Sequence, residues 1–239
     1  MRVIKREIDQ KLDYIIETYT NVVQGINQEA LNEKERAYGG IIRSGKGKLV
    51  EQIAQNLISL TWESMGKSLE RLSFGHIPFK LPIKEEYIEE IETSEVKDHI
   101  HENIDKYYYK FNQDVQVYID KKLVVSVECK SYTENAMFKR ILVDFTLLKL
   151  AYPDLDCVLL QLESQLGGDY SELNHITFGS PSTHTLLSYF NINLTIITLL
   201  KDERKVDKPI HNPKFYKQLT KDNLYNAINL IKLLLKKYK

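Results

Sequence analysis

The chain has little cysteine, no net charge and no long apolar run. Its 239 residues include only Cys129 and Cys157. Two thiols rule out a disulfide framework, and no cysteine cluster stands beside the six histidines to make a zinc site. Each cysteine falls in a stretch that reads as a buried strand, so both are expected as packed free thiols. That suits a reducing cytoplasm. Lys plus Arg and Asp plus Glu each number 33. A neutral balance neither demands nor excludes nucleic acid, because a neutral protein can carry a basic cleft. No segment is long and apolar enough to span a bilayer. The N-terminus, MRVIKREIDQKLDYII, is charged throughout and has no apolar signal core. No membrane association and a cytoplasmic location are therefore expected. Internal repeats, low-complexity segments and a Gly-x-Ser-x-Gly nucleophile motif are absent as well, so serine or cysteine hydrolase chemistry has no support.

What is present is ordinary core material, 43% hydrophobic, in a chain long enough for a sizeable core. Apolar residues from Val3 to Ile26 recur at helical spacing, which predicts a helix over residues 2–33. Residues 34–47 hold four glycines and four basic residues and are expected as a loop. A second helix is expected at 48–65 and a loop at 73–82. Helical pieces are expected over 84–110. From Asp114 the pattern becomes alternating α/β. It predicts a hairpin over 114–131, a helix at 133–151 and a strand at 157–162. A short helix at 182–190, a strand at 194–200 and a terminal helix at 221–238 complete it. This order implies an α/β fold, a mixed sheet with helices on its faces. A mainly helical region, 1–110, packs on the 111–239 core as one domain.

The segment DVQVYIDKKLVVSVECK, 114–130, carries the chemistry. Side chains alternate faces along a strand. Alternation puts Leu123, Val125, Val127 and Cys129 on one face, with Val124, Ser126, Glu128 and Lys130 on the other. Pairing the two strands brings Asp114 beside Glu128 and Lys130. Two carboxylates and a lysine at one strand end can hold a divalent cation and position a water. The plain alternative is a half-exposed hairpin with a solvated polar face.

Asp114 followed by Glu128-Cys129-Lys130 resembles the motif of the PD-(D/E)xK nuclease superfamily, best known from type II restriction endonucleases. The likeness covers roughly residues 110–165. Gln113 stands where the family has a proline. The resemblance implies a restriction-endonuclease-like fold and Mg²⁺-dependent hydrolysis of double-stranded DNA at a specific sequence, by a homodimer. It also implies that Asp114, Glu128 and the Cys129 carbonyl bind Mg²⁺, with Lys130 acting on the attacking water. A further glutamate comes from an upstream helix in many members. Glu51 is the candidate and Glu63 the second choice; each would otherwise be a solvated helix residue. A repair or defence nuclease of the same superfamily and a non-catalytic DNA-binding protein are the competing readings.

Residues 40–46 fit GxxxxGK, but Gly47 stands where a P-loop needs Ser or Thr, and no strand precedes it. Arg43, Lys46 and Lys48 instead suit DNA phosphates at a helix start, or a flexible basic loop. The small polar side chains of 174–185, among them Ser180, Ser182, Thr183 and His184, suit base recognition. They equally suit an ordinary loop with an N-cap at Ser182. The run 106–110, KYYYK, is a candidate for sugar-phosphate contact or a half-buried helix end.

Overall fold

The computed structural model describes residues 2–31, 35–172 and 177–238. Side chains are described for 7–25, 45–172 and 177–238. Two long helices open the chain, α1 (Arg2–Leu31) and α2 (Glu35–Ser64). Strands β1 (Leu72–Gly75) and β2 (Phe79–Pro82) follow, then the short helices α3 (Glu85–Glu89) and α4 (Ser94–Glu102). Next come β3 (Tyr108–Phe111), β4 (Val115–Ile119), β5 (Lys122–Glu134) and α5 (Asn135–Ala151). The chain continues through β6 (Asp156–Gln165), α6 (Pro181–Ser188), β7 (Leu194–Thr198) and α7 (Lys221–Leu235).

The main sheet has five strands in the order β1-β4-β5-β6-β7. β1, β4 and β5 run antiparallel, whereas β6 and β7 continue parallel from β5. β2 and β3 form a separate antiparallel ribbon. The expected mixed sheet flanked by helices, with a helical N-terminal region, is the architecture observed. One apolar cluster lies between the sheet and α1, α2 and α7, and includes Trp62, Val127, Leu160 and Ile231. The second lies under α5 on the opposite face, with Phe138, Phe145, Cys157 and Leu159. Both cysteines are free and buried.

Several elements differ from the sequence-based expectation. The loop expected at 34–47 is helical from Glu35 onward. Each helical glycine costs about 1 kcal/mol relative to alanine. Packing along the rest of the helix outweighs it, since Leu49, Val50, Ile53, Ala54 and Leu57 are all buried against the sheet. With residues 40–46 inside a helix, their amides are committed to the helix and cannot cradle a phosphate. The loop expected at 73–82 contains β1 and β2, and the last of the helical pieces expected over 84–110 is instead β3. These edge strands are four residues each, too short for alternation to declare itself.

At the hairpin turn Asp120 and Lys121 have φ of 50° and 66°, the left-handed geometry that matches strand twist. The register slips between Val117 and Tyr118, so that Val117 meets Val125 and Tyr118 meets Leu123. The extra residue is Val124, and the simple alternation fails there. Val124 joins the α1/α2 cluster, whereas Leu123 packs on the α5 side. Beyond the bulge the faces fall as expected, and Glu128 and Lys130 share the α5 side of the sheet.

Candidate active site

Strand direction decides where the polar residues gather. β4 begins alongside the middle of β5, since Val115 pairs with Val127 and β5 runs on to Glu134. Asp114, just before β4, therefore lies beside residues 128–130. Past Val127 no strand among the described residues pairs with β5 on the β4 side, and the Cys129 N–H donates to Asp114 Oδ2 at 2.7 Å. In a strand the carbonyl of a residue points to the same side as its N–H, so the Cys129 carbonyl faces this edge too. Lys130 Nζ stands between the carboxylates, 2.5 Å from Glu128 Oε1 and 3.1 Å from Asp114 Oδ2. The structure thus brings together the three residues expected from the motif.

Burial and charge perturb this group strongly. Burial pushes the Glu128 carboxyl up to about 7, against the pull of Lys130; Asp114 and Asp144 add to the rise. Burial alone would lower the Lys130 ammonium, but Glu128 and Asp114 outweigh it and hold it above its ordinary value. The Glu51 carboxyl, on α2, is raised by burial and by Asp114, opposed by His76, Lys130 and Lys48. α2 packs across β4 and β5, which brings Glu51 within electrostatic reach of Asp114 and Lys130. Glu63 is not there: it lies twelve positions on, about 18 Å along the helix, and pairs with Lys11 at 2.5 Å.

Sequence reasoning missed two groups. Asp144 on α5 has a carboxyl raised by burial, with Arg140 and Lys130 opposing. Its spacing on the helix reads as a polar gap in the apolar face, with nothing to aim it at the strand. Gln113, read from the sequence only as the replacement for the motif's proline, is 2% exposed and accepts from Ser126 Oγ at 3.1 Å, a buried contact that the hairpin creates.

The donor set fits a hard divalent cation. Asp114 and Glu128 offer carboxylate oxygens on either side of Lys130, and Glu51 and Asp144 are near enough to feel its charge. Hard cations select oxygen ligands of this kind. Elsewhere Glu85, Glu89 and His101 bring ligand atoms within 4.8 Å of one another, but all three are exposed, and surface acids gather without a metal.

The expected DNA contacts are divided by the fold. Lys46 is 7% exposed and its Nζ lies 3.4 Å from His211 Nδ1, so it is a buried group and not a surface cation. Lys48 is exposed. The Arg43 side chain and residues 173–176 lie outside the described residues. Ser180, rather than Ser182, is the N-cap of α6, accepting from Thr183 N. Thr183 is buried, bonded to Asn135 Oδ1 at 2.9 Å and Leu166 O at 2.8 Å. Both serve the fold because α6 must be anchored to the ends of β6 and α5. Ser182 and His184 are exposed. The run 106–110 passes into β3, where Lys80 lies 4.5 Å from the Tyr108 ring.

The five-stranded mixed sheet flanked by helices, with its helical N-terminal region, is a restriction-endonuclease-like architecture. No family model matches the chain. Over 233 residues it is 47% identical to the type II restriction enzyme DdeI of Desulfomicrobium norvegicum, covering 95% of this chain and 97% of the relative. The chain belongs to that family of type II restriction enzymes, and it is a sequence-specific endodeoxyribonuclease. A solved structure described as the native BbvCI A2B2 tetramer aligns over 99% of this chain and 91% of its own. At 13% identity and a TM-score of 0.35, that likeness carries no argument. No helix among the described residues is long and apolar enough to cross a membrane.

Proposed function

We propose that the chain cuts double-stranded DNA by Mg²⁺-dependent PD-(D/E)xK chemistry at the Asp114–Glu128–Lys130 site. The observation that carries this reading is the lysine seated between two carboxylates on the stretch of β5 that β4 does not cover. Asp114 and Glu128 would hold the ion, with the Cys129 carbonyl as a further oxygen. Glu51 would add a carboxylate from α2. Bound there, the ion supplies Lewis-acid polarisation of the phosphate and lowers the pKa of water. Lys130 orients the attacking water and stabilises charge developing on the phosphoryl oxygens. Lys48 on α2 suits phosphate contacts, and Ser182 and His184 at the start of α6 suit base-edge or phosphate contacts.

The reading treats residues 1–239 as a single nuclease domain with one active site. Two such sites related by a two-fold axis cut both strands of a symmetric sequence, which favours a homodimer. The test is cleavage of phage or plasmid DNA with Mg²⁺ or with EDTA, beside Lys130→Ala. Discrete Mg²⁺-dependent fragments that disappear in the variant are expected. Fragments that persist with EDTA, or in Lys130→Ala, would overturn the site.

A further inference from the structure

The row of the sheet that holds Lys130 contains a polar group that the chemistry above does not use. Lys130 on β5 is in register with Gln161 on β6, and Gln161 with Thr198 on β7. Register partners project to the same face. That face lies under α5, because Leu159, the register partner of Glu128, is buried there. Gln161 is 0% exposed. Its Nε2 donates to Thr198 Oγ1 at 3.0 Å. Its Oε1 has no hydrogen-bond partner among the described residues.

An acceptor buried without a donor costs stability, and an apolar residue of similar volume would avoid that cost. The neighbouring donor is Lys130, whose ammonium carries three N–H groups. Its present partners, Asp114 and Glu128, are the carboxylates assigned above to the cation. Carboxylates that turn to a divalent ion cannot also keep an ammonium in the same place, since two cations repel there. Lys130 must then find other company. Asp144 on α5 and Glu51 on α2 also feel its charge. Each is a carboxylate that the cation also attracts. Gln161 is the neutral acceptor, one strand over, about 4.8 Å between backbones.

We propose that Gln161 is a positioning residue for Lys130. Its Oε1 accepts from the ammonium when Asp114 and Glu128 turn to the cation, and Thr198 fixes the amide so that this oxygen faces β5. The inference rests on the metal-site reading above. A neutral amide holds the lysine without adding negative charge that would draw the cation off the carboxylates.

Gln161→Met keeps the volume and removes the acceptor. Single-turnover cleavage at saturating enzyme and Mg²⁺ should fall roughly 10- to 100-fold, the usual scale for losing a group that orients a site residue. DNA affinity measured with Ca²⁺ should stay within about twofold, so that the loss falls on the chemical step and not on binding. A readout independent of cleavage is the Gln161 side-chain amide signal in ¹⁵N-glutamine-labelled protein bound to DNA. It should move on adding Ca²⁺ in the parent protein and stay still in Lys130→Ala. If Gln161→Met fails to fold, Thr198→Val and the amide signal carry the test. An unchanged rate in Gln161→Met, or in Thr198→Val where that variant replaces it, overturns the inference, as does an amide that ignores Ca²⁺. Normal cleavage by Lys130→Ala would instead sink the site reading itself.

Discussion

Replacing Lys130 by methionine should move two properties in opposite directions. The ammonium touches both carboxylates, at 2.5 and 3.1 Å, so it neutralises the group that is to receive a cation. A group that stabilises developing charge on a phosphoryl oxygen is worth about 3–4 kcal/mol, or roughly 10²–10³ in rate. Cleavage should fall by that factor. Cation affinity should rise. Two unit charges about 4 Å apart interact by about 1 kcal/mol in water and about 4 kcal/mol at an effective dielectric near 20. Even the aqueous figure is roughly a factor of five in binding. Lys130 is about a quarter exposed, so the lower end of that range is the safer one. The assay is calorimetric titration of parent and variant with Mn²⁺, alongside single-turnover cleavage in Mg²⁺. Weaker Mn²⁺ binding in the variant would refute the electrostatic argument, because it would mean that Lys130 organises the ligands rather than competing with the ion.

Glu51→Gln should lower the cleavage rate by about tenfold or more, the scale of a lost ligand or general-base partner, whereas Glu63→Gln should change it less than twofold; equal effects in a plasmid assay would remove α2 from the site. Stability should respond to pH through Lys46, whose ammonium burial lowers to about 8, with Glu163 opposing and Arg204 adding to the drop. The folded state then loses its proton before the unfolded state does, so the unfolding free energy rises from about pH 8 to about 10.5, by at most about 3 kcal/mol. Urea denaturation across that window should show the rise in the parent protein and a flatter profile in Lys46→Met. Phe145→Ala empties a fully buried site between α5 and the sheet and should cost about 3–5 kcal/mol in the same experiment.

The proposed catalytic trio was legible because three local signals agree: a strand-length apolar run, a turn, and polar residues two apart on one face. Glu51 was legible only as a charge on a helix, and its approach to Asp114 came from the packing of α2 across the sheet. Lys46 reads as a basic loop residue. The fold makes it a buried helical group, because the apolar residues that follow it pull the whole segment into the core.

The sequence by itself determined the hairpin, the α/β order and the residue types at the proposed site, since side-chain alternation and strand propensity act within a few neighbours. Tertiary structure alone decided that α2 runs through four glycines, that Val124 and Leu123 exchange faces at a bulge, and that Gln161 and Asp144 stand beside Lys130. Those outcomes depend on long-range burial and on register between strands distant in the chain. Short-range pattern carries no information about either.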